Sequence, residues 1–528
     1  MDLFLRNADV FDGTGAPPLR RDVGIAGGRI VAVTPPGPGI DAGSVLDLDG
    51  LALAPGFVDI HTHSDVSLLH DPGGDSKALQ GVTTEVVGNC GYSAFPVHPE
   101  RHDDLTDHLA RLGDAPTPIR WDGYDSYARA MSAAHPALNV AMLTGHSALR
   151  IAAMRNPYRP ATPAEIADMA RLLDEALAAG AFGLSTGLTH TPSALGDAAE
   201  IGALIEVCAR HDALYATHAR AVAGGELDAI DEAIDTTRRA GGRLQFSHLA
   251  LNDPARWGHA DRALERFDAA AAAGLDVAFD VYPYDASSSA MVQYLPEWTQ
   301  AGGPAELRGH HREPAWRERA LADIRTGFFG GIPWHWDRIV VTAAGHRDDL
   351  PGRSVQDIAA RWDQAPEEVL LDLCAELGSA VQVVLHYRTE ADMTRFLAHP
   401  LAIVGSDGNA QPLREQPDRP HPRAFGTFPR VLGRYVRDRP VLGLGEAVRK
   451  MTSAPADRLH LTGRGRVALG HAADLVVFDP ATVADRATFA QPRQAPAGVL
   501  HTIVNGRFVV RDGAVTGARP GRVLRHGR

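Results

Sequence analysis

Hydrophobic and polar positions repeat with two different periods along the chain. Residues 1–55 and 455–528 read as short strands separated by turns. "DVGIAGGRIVAV" alternates apolar and polar positions about Gly27-Gly28, and "LHTIVNGRFVVRDG" does so about Asn505-Gly506, a strong hairpin signal. Two β-rich ends that flank a long middle predict one small β domain built from both termini. The middle, 56–454, alternates brief apolar runs with amphipathic helical stretches. The runs are "GFVDIHTH", "TTEVVGNC", "NVAMLTGH", "FGLSTGL", "LYATHAR", "RLQFSHLA", "DVAFDVYPY" and "LAIVGSDG". Between several of them lie stretches such as "PAEIADMARLLDEALAAG", with apolar residues at the helical period. Repeated strand–helix units predict a parallel α/β sheet, and eight strands fit a (β/α)8 TIM barrel. "RIVVTAAG" and "VQVVLHY" exceed that count. They are placed in a lid or insertion after the seventh strand, over 286–398, together with the Trp-, Pro- and Arg-rich stretch that begins at Leu295.

Composition narrows the class. With 45% hydrophobic and 22% charged residues the chain is an ordinary globular one, so disorder and collagen-like structure are excluded. A net charge of −13 argues against a nucleic-acid partner, which calls for a basic patch. The N-terminus lacks a basic segment followed by a long apolar one, and no apolar run approaches the ~20 residues of a membrane span. Cys90, Cys208 and Cys374 are too few for a disulfide framework, so reduced thiols and a cytoplasmic setting are expected. Cys208 and Cys374 fall in helical patterns and read as core. Oligomeric state is left open.

Candidate chemistry collects at the strand ends. The first strand runs into His61-Thr62-His63, the second into Cys90, the fifth into His218, the sixth into His248 and the eighth into Asp407. Taken singly, a strand-end His is usually a hydrogen-bonded structural residue, a lone Cys inert core, and an Asp after Gly-Ser a turn residue. All six at the same end of parallel strands converge on one face, where barrel active sites lie. The His-x-His spacing puts both imidazoles on one side of a strand. A His-rich set with one thiolate favours Zn2+ over Mg2+ or Ca2+. Catalytic zinc lowers the pKa of a water toward ~7, and Asp407 is the carboxylate that would take the water's proton and pass it to a leaving amine. The predicted reaction is hydrolysis of an amide or related C–N bond.

These residues resemble the amidohydrolase superfamily. "APGFVDIHTHSD" at 54–65, then His218, His248 and "GSDG" at 405–408 carry the resemblance in that order, and "GHAADLVVFD" at 470–479 extends it to the β-rich end. Within the superfamily, "VVGNCGYS", "GLSTGLTHTP", "YATHAR", "FSHLAL", "DVYPYDASSS" and "HPRAFGTFPRVLGRY" resemble the D-aminoacylases, the N-acyl-D-amino-acid deacylases. The resemblance implies a β-sandwich from both termini beside the barrel. It implies one tightly bound Zn2+ on Cys90, His218 and His248, a second, weaker ion on His61 and His63, and Asp407 as general base. It also implies Arg423, with Tyr282 and Ser288, as binders of a substrate carboxylate, and an N-acyl amino acid as the small-molecule partner. One absence, which speaks against dihydroorotase and hydantoinase chemistry, and two departures stand out. The fourth-strand region "GLSTGL" has no lysine for the carboxylated bridge of dihydroorotase and hydantoinase chemistry, and neither Lys77 nor Lys450 is placed for it. Position 250, where relatives carry Lys near the carboxylate, is Ala. The stretch "GNAQPLREQPDRP" after Asp407 is long and charged. The alternatives are the same machinery on a dipeptide, aryl amide, lactam or cyclic ureide, and a scaffold that has lost its chemistry.

Overall fold

The computed structural model describes residues 1–37, 42–114 and 117–527. Eight short parallel strands run through the middle of the chain. They are β1 (Phe57–Asp59), β2 (Val82–Val87), β3 (Asn139–Met142, resumed at Thr144–Gly145), β4 (Gly183–Gly187), β5 (Leu214–His218), β6 (Arg243–Phe246), β7 (Val277–Val281) and β8 (Ala402–Val404). Each falls inside one of the eight apolar runs, except that β2 begins one residue ahead of its run. β1, β2 and the first part of β3 form one parallel sheet; the rest of β3 and β4 through β8 form another, with every strand beside its sequence neighbour. β8 returns to β1 through a parallel bridge between Thr62 and Gly408, and the Asp407 N–H donates to the His61 carbonyl at 2.8 Å.

The strands are buried because helices cover them. Helix α1 (Pro163–Ala179) starts where Thr162 and Glu165 cap one another reciprocally, and it turns Met169, Leu173, Ala176 and Leu177 inward. Helix α2 (Glu226–Ala240) buries Leu227, Ile230 and Ile234 and stops at Gly241, whose φ of 70° suits glycine. α1 lies where the helical periodicity placed it. No helix among the described residues is long and apolar enough to cross a membrane.

Both termini enter one nine-stranded sheet. They meet where Leu475–Phe478 pairs antiparallel with Ala52–Pro55. Alternation decides what each face covers: Leu53, Leu475 and Val477 join a small core with Leu5, Val23, Ile25 and Ile503, while Ala52, Ala54, Val476 and Phe478 join the large central core. Between β7 and β8 the chain makes a separate antiparallel sheet from Ser287–Ala290, Val381–Leu385 and Ile339–Ala344. This segment has its own core, which includes Val341, Ile358, Leu370, Leu373 and Val383. Its last helix, Glu390–Ala398, packs instead against β7 and β8.

Candidate metal centre

The C-terminal ends of the eight strands share one side, and the polar residues meet there. His61, Cys90, His248 and Asp407 each present one ligand atom, all within 4.8 Å of one another. The Cys90 Sγ lies 3.2 Å from His61 Nε2 and 3.4 Å from His248 Nε2, and His248 Nε2 lies 2.9 Å from His218 Nδ1. Asp407 Oδ1 lies 2.9 Å from His63 Nε2 and 3.3 Å from His61 Nε2. Local backbone makes this approach possible. Cys90, His248 and Asp407 all take left-handed φ values, 53°, 36° and 54°, at the sharp bends that follow their strands. A Cβ at Gly187 would stand 2.1 Å from the Cys90 carbonyl oxygen, so the glycine that ends β4 makes room for the Cys90 turn.

The surrounding residues orient these groups. Asp280 on β7 accepts from the His61 ring at Nδ1, 3.0 Å away, and from the His248 backbone N–H at 2.8 Å. Gln245 donates to its other oxygen at 3.0 Å. Thr189 sits 2.6 Å from His218 Nε2, and the His190 ring stacks edge-on against that of His218. With the outer nitrogens of His61 and His218 occupied, Nε2 of one and Nδ1 of the other remain for the centre. Asp280, Thr189 and His190 lie within the family-like motifs, but the strand-end pattern alone does not single them out. The sequence signal for Asp280 is an acid inside an otherwise apolar strand. Charge follows the same design. Burial pushes the Cys90 thiol up, but His61, His248 and a hydrogen bond with His218 outweigh it and hold it well below the ordinary thiol value. Burial likewise opposes the Asp407 carboxylate, and Arg423, His61 and His248 keep it well below the usual range.

These residues fit a zinc ion. Several lone-pair groups crowd to 2.9–3.4 Å with too few protons for a hydrogen bond at every contact, as at His248 Nε2, which faces both a sulfur and a nitrogen. Tetrahedral Zn–N and Zn–S bonds of 2.0–2.3 Å give ligand–ligand edges of about 3.3–3.7 Å, close to that spacing. His63 Nδ1 is buried without a hydrogen-bond partner among the described residues. The two lysines lie elsewhere: Lys77 pairs with Asp59 at 2.8 Å and Ser406 at 2.5 Å, and Lys450 donates to the Ala402 carbonyl at 3.1 Å. Cys208 and Cys374 are buried and free, their thiols pushed up by burial.

A cleft opens over the cluster. Arg423 donates to Asp407 Oδ2 at 2.7 Å and to the Ser288 carbonyl at 3.4 Å, and its guanidinium lies 4.8 Å from the Tyr282 ring centre. The Tyr282 and Ser288 side chains line the same cleft, as do Asn409, Gln411 and Asp418 of the long loop after Asp407. Ala250 is not among the cleft-lining residues. The segment between β7 and β8 supplies an apolar wall of Tyr294, Phe328, Phe329, Ile332 and Leu385.

A family model described as "Amidohydrolase family" matches residues 44–325 and 376–510. The chain belongs to the amidohydrolase family. It is 38% identical to the N-acyl-D-glutamate deacylase of Alcaligenes xylosoxydans xylosoxydans over 99% of this chain and 96% of that one. It is 37% identical to the D-aminoacylase of the same organism, over 99% and 97% of the two chains. Among solved structures it resembles the N-acyl-D-glutamate deacylase of Bordetella bronchiseptica, complexed with zinc and a phosphonate mimic of the reaction's tetrahedral intermediate. That likeness has a TM-score of 0.85 at 35% identity over 99% of both chains. The amidohydrolase resemblance read from the strand-end motifs therefore holds over nearly the whole chain.

Proposed function

We propose that this amidohydrolase is a zinc-dependent deacylase of N-acyl-D-amino acids, releasing a carboxylate and a free D-amino acid. The observation that carries the reading is the meeting of Cys90, His218 and His248 with Asp407 and Arg423 at one end of the parallel strands. Its support is the relatedness to N-acyl-D-amino-acid deacylases. Cys90, His218 and His248 hold the tight ion, and His61 and His63 hold a second, weaker one beside Asp407. Zinc bound by these residues would supply Lewis acidity for the acyl carbonyl and the attacking water. Asp407 takes that proton and returns it to the departing amine nitrogen. Arg423 and His63 fix the two Asp407 oxygens so that the carboxylate cannot turn away. Arg423, Tyr282 and Ser288 face the substrate's carboxylate, and the apolar wall faces its acyl group or side chain.

We infer further that the two parallel sheets close as one (β/α)8 barrel within 56–454. The nine-stranded sheet of 1–55 and 455–528 is then the sandwich domain, and the segment between β7 and β8 is a lid. The parallel bridge from Thr62 to Gly408 supports closure. Three unpaired cysteines fit a reducing, cytoplasmic setting. The catalytic assignment is tested with Asp407→Asn. Zinc stays bound and turnover of N-acetyl-D-amino acids falls by ~10²–10⁴-fold, the range for loss of a general acid–base. Wild-type turnover by a zinc-replete Asp407→Asn protein would sink the assignment.

A further inference from the structure

Arg388 makes no ion pair among the described residues. It follows the lid strand Val381–Leu385, lines the cleft and is half-buried. Its Nε donates to Asn252 Oδ1 at 2.9 Å, and among the described residues no carboxylate lies within 4 Å of its guanidinium. Glu226, on the same cleft wall, is instead taken up by the backbone N–H groups of Asn252 and Asp253 at 2.5 and 3.1 Å. A charge drawn out of water with no partner is costly, so a firm geometry around it calls for an incoming anion. That geometry is firm here. Trp257 Nε1 donates to the Tyr387 carbonyl at 3.2 Å, and the Tyr387 hydroxyl donates to the Pro333 carbonyl at 3.0 Å. On the other side, Thr389 caps the helix Glu390–Ala398 through the Asp392 N–H at 3.1 Å.

The guanidinium carbon of Arg388 lies 4.7 Å from the centre of the Tyr282 ring, as that of Arg423 lies at 4.8 Å. Tyr282 is 1% exposed, and among the described residues its hydroxyl makes no hydrogen bond of 3.5 Å or less. Arg423 already shares its charge with Asp407 at 2.7 Å. An unsatisfied phenol hydroxyl, a committed guanidinium and an uncommitted one therefore meet in a cleft that also holds the metal-centre residues. We propose that Arg388 is a substrate-binding residue that, with Arg423 and Tyr282, clamps the substrate's α-carboxylate. The inference rests on the deacylase reading above. It gives the lid a chemical role, because the lid then carries half of the carboxylate site. The site is complete only when the lid is in place.

The test compares zinc-replete wild type, Arg388→Met and Arg388→Lys on N-acetyl-D-leucine and on its α-carboxamide. Wild type prefers the acid. Arg388→Met raises KM for the acid by ~30-fold, the range for losing a charge-assisted pair, while kcat and turnover of the amide change little. Arg388→Lys keeps part of the preference. An undiminished preference in Arg388→Met overturns the proposal, and so does an equal loss on acid and amide, which marks a structural role. A loss confined to the side-chain carboxylate of N-acetyl-D-glutamate also overturns it. Calorimetry with N-methylsulfonyl-D-leucine and its carboxamide, neither of which is hydrolysed, reads the clamp without turnover. If wild type deacylates no N-acyl-D-amino acid, the deacylase reading falls. The clamp then stands or falls by whether wild type, and not Arg388→Met, binds the sulfonyl acid more tightly than its amide.

Discussion

Asp280 shares one carboxylate oxygen between the His61 ring and the His248 backbone, so it fixes two of the converging residues at once. Such outer partners set both ring orientation and ligand basicity. Replacing Asp280 by Ala is expected to weaken zinc binding by ~10–100-fold, read by competition with a chelator. Unchanged zinc affinity would show that His61 and His248 are held by packing alone. At this scale the strand-end residues were legible, because an imidazole, thiol or carboxylate that ends an apolar run stands out against it. Asp280 was harder to single out, since it sits within β7 rather than at its end. His190 and Thr189 follow β4 in a turn whose direction no periodicity reveals. Arg388 was invisible: an arginine in the segment between β7 and β8 looks like surface charge until the fold brings it to Tyr282.

The turns after the strands are as demanding as the side chains they carry. Cys90 and Gly91 take φ values of 53° and 78° in succession, and Gly187 leaves no room for a Cβ beside them. Gly187→Ala should displace the Cys90 turn and cost roughly 1–3 kcal/mol of stability. Zinc and activity should fall together, measured by metal content and thermal unfolding; full retention of both would mean the turn can yield. The first residue of α2 makes a second prediction. Burial pushes Glu226 from 4.5 up to about 7, although the Asn252 and Asp253 N–H groups pull it down, and its Oε2 has no hydrogen-bond partner among the described residues. Its folded pKa is raised, so its contribution to stability is most favourable below about 4.5 and is lost as pH rises through about 7. Glu226→Gln should remove that decline and raise stability at pH 8 by on the order of 2 kcal/mol, seen in denaturant titrations across this range. An unchanged pH profile would contradict it. Helices such as α1 were legible from their periodicity, whereas the left-handed turns at Cys90, His248 and Asp407 are made by residues that do not announce them.

Over the whole molecule, three bodies of structure divide the work. The parallel strands bring distant residues to one end, the terminal sheet packs one face into the central core, and the segment between β7 and β8 lines the cleft with an apolar wall and Arg388. The parallel strands were legible from the alternation of strands and helices, and the strands at the two ends from their own alternation, because both rest on local periodicity. The extent of the lid was less legible. Its final helix, Glu390–Ala398, packs on β7 and β8, a tertiary choice that an amphipathic pattern leaves open. The central claim is that this assembly hydrolyses N-acyl-D-amino acids with zinc. The most direct measurement pairs zinc content with amine release from N-acetyl-D and N-acetyl-L amino acids, before and after chelation and with zinc restored. The account predicts at least ~1 zinc per chain and D-selective release that is lost with the metal and recovered with it. Release that survives complete removal of zinc, or none from either enantiomer by the zinc-replete protein, would contradict it.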